Sequence, residues 1–283
     1  MALRRHCPSV VPWSSGRAIS FDLGKSLDSL VLLCEGAGVV AERKDQRVWV
    51  SAGLQVRAFP RPDGKWLVKL PEDHPELWAR LIEQVSTDLA APLLINTPAD
   101  LDPQRTGILQ ASAFIPARTE AIWRIPLTST SARPIHSNTH RLRPVDGCDL
   151  NRVVDLDNTI RADIPGTRAW RGTLADLSET LDDSDFDPAL YLVAVQAQTG
   201  SYDGLIRVWN RRPWPRLGCL GVRAAWRRTR LPAALVSAVA GVLRDRGVTD
   251  VVTETDVRNG GSYPMASSRG ISTGVMTEWE RPA

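Results

Sequence analysis

A chain of 283 residues is too long for one small domain and too short for three, which leaves one large domain or two modest ones. With 43% hydrophobic residues it can build a core, and a formal net charge of +3 is too small to indicate a nucleic-acid binder by itself. Cys7, Cys34, Cys148 and Cys219 lie far apart with no CxxC pair, which excludes a disulfide framework or zinc site and points to reduced thiols in a cytoplasm. No apolar run reaches the roughly 20 residues of a bilayer span. Pro8 and Pro12 break the short apolar run of the N-terminus, so neither membrane association nor a signal peptide is expected.

In chain order, "VVAERKDQRVWVSAGLQVRAFPRPDGKWLVKL" reads as successive strands with a turn at "RPDGK". "PELWARLIEQVSTDL" (75–89) is an amphipathic helix and "APLLIN" a strand. The Ser/Thr/Pro-rich segment 128–139 reads as a linker between a first half, 1–127, and a second half, 140–283. There "HRLRPVD" alternates like a strand, and 149–162 carries Leu150, Val153, Val154 and Leu156 at helical spacing. "TLADLSETLDD" is a short helix, and 189–197, 203–210 and 216–222 are strands. A long helix follows, with Pro232 in its first turn and Gly247 past its end. Then come a strand at 249–256, a short helix in "GGSYPMASSRG" and a strand around Val275–Trp279. The order β, α, α, β, β, β, α, β, α, β implies a mixed-sheet α/β/α sandwich of three layers.

The end of the first half resembles the end of the chain. Ala113-Phe114 aligns with Gly270-Ile271, Thr119-Glu120 with Thr277-Glu278, and Trp123 nearly with Trp279. A tandem duplication with a decayed first copy accounts for this.

The stretch "AWRRTRLPAALVSAVAGVLRDRG" (225–247) places Arg227, Arg228 and Arg230 in the turn that opens the long helix, with Arg223 just upstream. A helix start presents unpaired N–H groups and a partial positive charge, and arginines in that turn add bonds to phosphate oxygens. From Gly204 to Arg244 no acidic residue neutralises them. Strand, turn and helix together resemble the acyl-CoA site of the GNAT acyltransferase family, V-x-P-x-[aromatic]-[R/Q]-x-x-G-x-[G/A]. Val222, Trp226, Arg227 and Leu231 fit it. Arg230 stands where glycine is usual, and Pro232 where glycine or alanine is usual. The family's later motif is matched by Asn259 and, eleven residues on, Gly270-Ile271. Its usual tyrosine would fall at Ala266, with Tyr263 or Ser267 as the nearest substitutes.

The resemblance spans 140–283 and implies two GNAT-like α/β domains, the N-terminal one degenerate. It implies an acyl-CoA-dependent N-acyltransferase, with acetyl-CoA as donor, a small-molecule amine as acceptor and no metal. Leu220, Gly221, Val222, Arg227, Arg228, Thr229, Arg230, Leu231 and Asn259 would hold the donor, the glycines of "GCLGV" supplying a bulge and a free N–H facing the thioester. Glu254 and Asp256, alternate on one strand, share a face and are the candidate bases, with Tyr263 as acid and Tyr191, Tyr202 and Asp203 as further candidates. Asp157, Arg161 and Asp163 lie in the loop that would admit the acceptor. His136 and His140 have an i, i+4 spacing but no third ligand in view.

Two other readings remain. Arg207, Arg211, Arg212 and Arg216, interleaved with Trp209 and Trp214, suit a polynucleotide and an aminoacyl-tRNA donor. The displaced glycine and missing tyrosine suit a non-catalytic binding module.

Overall fold

The computed structural model describes residues 46–283 apart from 52, 131 and 132. Cys7, Cys34, the reading of the N-terminus and the start of the first strand-rich stretch lie outside the described residues.

Among the described residues eleven strands form one sheet. The first half contributes β1 (Arg47–Ser51), β2 (Leu54–Pro60), β3 (Trp66–Lys69), β4 (Leu93–Pro98) and β5 (Ile115–Pro126). The second contributes β6 (His140–Pro144), β7 (Tyr191–Gln196), β8 (Tyr202–Trp209), β9 (Arg216–Val222), β10 (Asp250–Asp256) and β11 (Ile271–Arg281). The helices are α1 (Trp78–Leu89), α2 (Pro103–Ala111), α3 (Leu150–Arg161), α4 (Leu174–Leu181), α5 (Leu231–Asp245) and α6 (Ser262–Ser267). In the second half the element order is the expected one.

Local chemistry sets these elements. In α1, Trp78, Leu81, Ile82 and Val85 repeat on one face and are all buried. The "RPDGK" turn closes with Gly64 at φ +79 and its N–H donating to the Arg61 carbonyl at 3.0 Å. Helix α4 starts in a capping box formed by Thr173 and Asp176. Helix α2 escaped the sequence reading because it buries only Leu109 and so has no apolar stripe. Its start is nevertheless specified, by an Asp102 cap on the Arg105 N–H at 2.9 Å and by Pro103.

The sheet order is β1-β2-β3-β4-β11-β5-β10-β9-β8-β7-β6. The last strand of each half has crossed into the other. β11 lies between β4 and β5, and β5 lies between β11 and β10. Thr119 pairs with Thr277, the two positions that the internal repeat aligns, so a pseudo-twofold axis passes between β5 and β11. The tryptophans follow that symmetry. Trp123, from the first half, packs in the core under α5 and donates its indole N–H to Thr255 Oγ1 at 2.8 Å. Trp279, from the second half, packs in the core under α1 and donates to Thr97 Oγ1 at 3.0 Å. In each case the threonine is two residues beyond the tryptophan's register partner, Thr253 or Ile95. Each core is completed by the other half's tryptophan.

One face of the sheet carries α1, α2, α5 and α6, built on two clusters of buried side chains. The other face carries α3 and α4 over β7, β8 and β9. Beyond α3, the loop 162–173 reaches the first half, where the Arg171 N–H donates to the Pro62 carbonyl at 3.1 Å.

Candidate active site

Strands β9 and β10 run parallel but share a single register pair, Val252 with Arg216, tied by the Val252 N–H donating to the Pro215 carbonyl at 2.9 Å. The Thr253 hydroxyl then donates to the Leu217 carbonyl at 3.0 Å, and beyond that the strands part. The expected bulge is present. The β8–β9 register slips between Cys219 and Leu217, leaving Gly218 as the extra residue. The Arg223 N–H donates to Asp203 on β8. By strand alternation, the N–H groups of Leu220 and Val222 therefore point into the gap toward β10. Val222 is buried in the α5 core, and Leu220 packs against it. Gly221 is needed because α3 crosses here: a Cβ would lie 2.2 Å from Ile160 Cγ2.

The turn after β9 is held down by Trp226, which meets the His140 ring edge-on at 4.5 Å. Arg227, Arg228, Thr229 and Arg230 are exposed, and Leu231 is buried as the first residue of α5. The N-cap residue of α5, Arg230, makes no side-chain cap, while the Thr229 hydroxyl accepts the Leu231 N–H at 3.2 Å and donates to the Trp226 carbonyl at 2.8 Å. Among the described residues, the N–H groups of Arg228, Arg230 and Ala233 have no hydrogen-bond acceptor. Arg230 sits at φ −75, ψ −5, ordinary helical backbone, so the family glycine is not required for conformation. Arg227 forms an ion pair with Asp163, joining this turn to the loop after α3.

The other predicted residues are brought close but are mostly engaged. Glu254 and Asp256 do share the α3 face of the sheet. The Arg216 guanidinium holds both oxygens of Glu254, Nε lying 3.2 and 3.0 Å away. Asp256 is held by Arg258 through its main-chain N–H at 2.7 Å and its guanidinium at 3.2 Å. Both candidate bases are thus in ion pairs. Asn259 closes the turn before α6, its Oδ1 accepting the N–H groups of Gly261 and Ser262 at 3.1 Å each. Ala266, at the family's tyrosine position, is fully buried. Tyr263 lies one turn earlier and packs edge-on against Trp123 at 5.6 Å. Its helix is on the sheet face opposite Glu254.

Asp157 and Arg161, expected in the loop, lie on α3 itself and bond each other at 2.8 Å one turn apart, and Arg161 lies over the Trp170 ring at 4.4 Å. Burial pushes the Asp157 carboxyl up, but Arg161 and Arg207 outweigh it and hold it below its usual value. Burial raises the neighbouring Tyr191 and Cys219. Asp163 is exposed on the loop itself.

Of the basic stretch 207–216 only Arg212 is a solvated arginine. Arg207 lies over Tyr191, Arg211 is buried against Asp185, and Arg216 is spent on Glu254. Asp203, Tyr202 and His140 form a separate cluster. The His140 and Asp203 side chains meet at 3.1 Å, and the Tyr202 hydroxyl accepts the Asp149 N–H at 2.9 Å. Among the described residues no group of three or more His, Cys, Asp or Glu side chains is placed to hold a metal ion, and no helix is long and apolar enough to cross a membrane.

The sequence reading missed a set of first-half residues on the α3 face. Glu120 on β5 faces Asp256 on β10 and Met276 on β11 in register. Arg118 bonds Glu120 at 3.0 Å and approaches Glu278 at 3.7 Å, while Arg61 bonds Glu278 at 2.9 Å. The loop after α3 lies over them, Gly166 against Arg118 and Trp170 against Arg61.

No protein-family model matches the chain, and no curated protein matches it. Solved structures do. A GCN5-related N-acetyltransferase from Sphaerobacter thermophilus matches with a TM-score of 0.61 at 18% identity, over 81% of this chain and 76% of that one. A tandem GNAT protein from the clavulanic acid biosynthesis pathway matches at 0.60 and 16% identity, over 92% and 94%. A GCN5-related N-acetyltransferase from Kribbella flavida matches at 0.57 and 10% identity, over 94% and 97%. The chain thus has the GNAT fold, a mixed α/β architecture.

Proposed function

We propose that the protein is an acyl-CoA-dependent N-acyltransferase, with acetyl-CoA as donor and a small primary amine as acceptor, whose one donor site lies in the second half. The observation that carries this reading is the opening between β9 and β10, with inward N–H groups on one wall and, at its mouth, an arginine-lined helix start that keeps unsatisfied N–H groups. The unsatisfied N–H groups of Arg228, Arg230 and Ala233 fit a diphosphate, with the two arginine side chains beside them. The turn before α1 in the first half carries Glu72, Asp73 and Glu76 instead, which would repel a polyanion. The reading divides the chain into a degenerate GNAT-like copy at 1–127, a linker at 128–139 and the transferase at 140–283.

Bound acetyl-CoA would supply a thioester carbonyl. The Leu220 and Val222 N–H groups line the wall where it would lie, as donors to the developing oxyanion. Leu220, Gly221 and Val222 would pair as a strand edge with the pantetheine arm, and Ile160 above Gly221 excludes water there. Tyr263, on the α6 face, would be the proton donor to the leaving thiolate, while carboxylates would serve the amine from the α3 face. The loop with Asp163, pinned to Arg227, closes the acceptor side.

A second reading, a CoA-binding module without turnover, draws on the ion pairs that occupy Glu254 and Asp256. Nothing comparable supports an RNA-bound donor, because three of the four arginines that suggested it, Arg207, Arg211 and Arg216, are engaged within the fold and only Arg212 is exposed.

Acetyl-CoA at 100 times its dissociation constant is expected to stabilise the fold by about 2.7 kcal/mol. Thermal melts with and without it check this, and no shift at millimolar ligand would contradict the proposal. Stabilisation with no thiol release across a panel of primary amines would favour the second reading.

A further inference from the structure

We propose that Glu120, carried from the first half into the second by strand exchange, is the base that takes the proton from the acceptor's ammonium group. The inference rests on the acyltransferase reading above. Four carboxylates share the α3 face, Glu254 and Asp256 on β10 at the edge of the opening, Glu120 one strand further on β5 and Glu278 on β11 beyond it, and their partners separate them. Glu254 is gripped at both oxygens by Arg216, Asp256 by Arg258, and Glu278 by Arg61 with Arg118 nearby. Glu120 has one ion pair among the described residues, to an Arg118 nitrogen that Glu278 shares. Its side chain is also the most accessible of the four, 21% exposed against 5%, 1% and 8%. A base must be reachable and must not be neutralised by its neighbours, and Glu120 meets both conditions best.

The groups facing it support the assignment. Arg118 on its own strand and Arg216 across β10 favour the carboxylate. Burial is the larger influence, however, and with Glu254 and Glu278 nearby it raises the Glu120 carboxyl above the usual glutamate value. That strengthens it as a base toward neutral pH. In the reaction the acceptor ammonium gives one proton to Glu120, and the neutral amine forms the C–N bond as the C–S bond breaks. The second amine proton goes to the thiolate, and Glu120 returns its own to solvent, so one amide, one thiol and one proton result. The first half, which holds no donor site, would then contribute a catalytic residue.

Acetyl-CoA and n-butylamine serve as probes, with thiol release followed across pH. Glu120→Gln is expected to lower kcat roughly 100-fold and to abolish the fall in rate toward low pH, with acetyl-CoA affinity unchanged. Glu120→Asp should restore that fall. A Glu120→Gln enzyme that keeps the acid limb overturns the proposal.

Stability supplies an independent sign. The folded state binds the Glu120 proton more tightly than the unfolded chain, so stability drops as pH rises through the folded-state value. Glu120→Gln should therefore melt higher than the parent at pH 8, and lose that advantage below the ordinary glutamate range. A purely structural ion pair with Arg118 would give a lower melting temperature at pH 8.

Should the parent bind acetyl-CoA but not use butylamine, carbon-13 spectra of the complex decide. The carboxyl resonance missing from Glu120→Gln must titrate above the ordinary glutamate value and move on adding n-butylammonium. A normal or lowered midpoint overturns the proposal. Failure of the parent to bind acetyl-CoA at all is a separate result, and overturns the acyltransferase reading together with this one.

Discussion

Trp279→Ala is expected to destabilise the protein by about 3–5 kcal/mol, the range for deleting a large buried aromatic, and to loosen the first half although the residue belongs to the last strand of the second. Its ring packs among Trp78, Leu81, Val85 and Phe114, and its indole N–H is satisfied by Thr97. Truncation leaves a cavity under α1 and removes the donor to Thr97 Oγ1, whose hydroxyl keeps only its bond to the Pro98 carbonyl at 3.1 Å. Trp123→Ala should do the converse and loosen the core under α5. Hydrogen exchange reads this out. For Trp279→Ala, protection should fall in α1 and β4, and a loss confined to β10 and α5 would refute the reciprocal packing.

Arg216→Ala is expected to cost a similar amount, about 3–5 kcal/mol, because it strands a carboxylate in a buried site. Glu254 is 5% exposed, and its two oxygens are held by that one guanidinium where β9 and β10 begin to part. Replacing both residues by methionine removes the charges together, and should be far milder than either single change to alanine. Urea denaturation of the two single variants and the double variant tests this. Single and double variants equally unstable would mean that packing, rather than the stranded charge, sets the cost.

Much of the second half can be read from local pattern. The 3.6-residue spacing in α3, the Pro232–Gly247 bracket around α5 and the alternation in β7 to β9 are written in neighbouring residues, and so is the arginine turn. The exchange of β5 and β11 is not, since it depends on pairings between residues distant in the chain, such as Thr119 with Thr277 and Glu120 with Asp256. The repeat alignment was its one trace. Charge direction was equally hidden. Composition shows Arg207, Arg211 and Arg216 as a basic stretch, but only the fold turns them inward onto Tyr191, Asp185 and Glu254. Glu254 and Asp256 were correctly placed on one face, yet their partners are not evident from alternation along a strand. Glu120 went unnoticed because it lies in the other half. Its alignment beside Thr119 with Thr277-Glu278 was the only signal that could have pointed to it.

Calorimetric titration of acetyl-CoA into the parent protein and into the Arg228→Ala/Arg230→Ala double variant tests the donor site most directly. The expected result is a single saturable site in the parent, weakened in the variant by about 1.5–3 kcal/mol for each lost charged hydrogen bond, with Arg105→Ala in the first half leaving it unchanged. Absence of saturable binding in the parent would contradict the account, as would binding that survives in the double variant but is lost in Arg105→Ala.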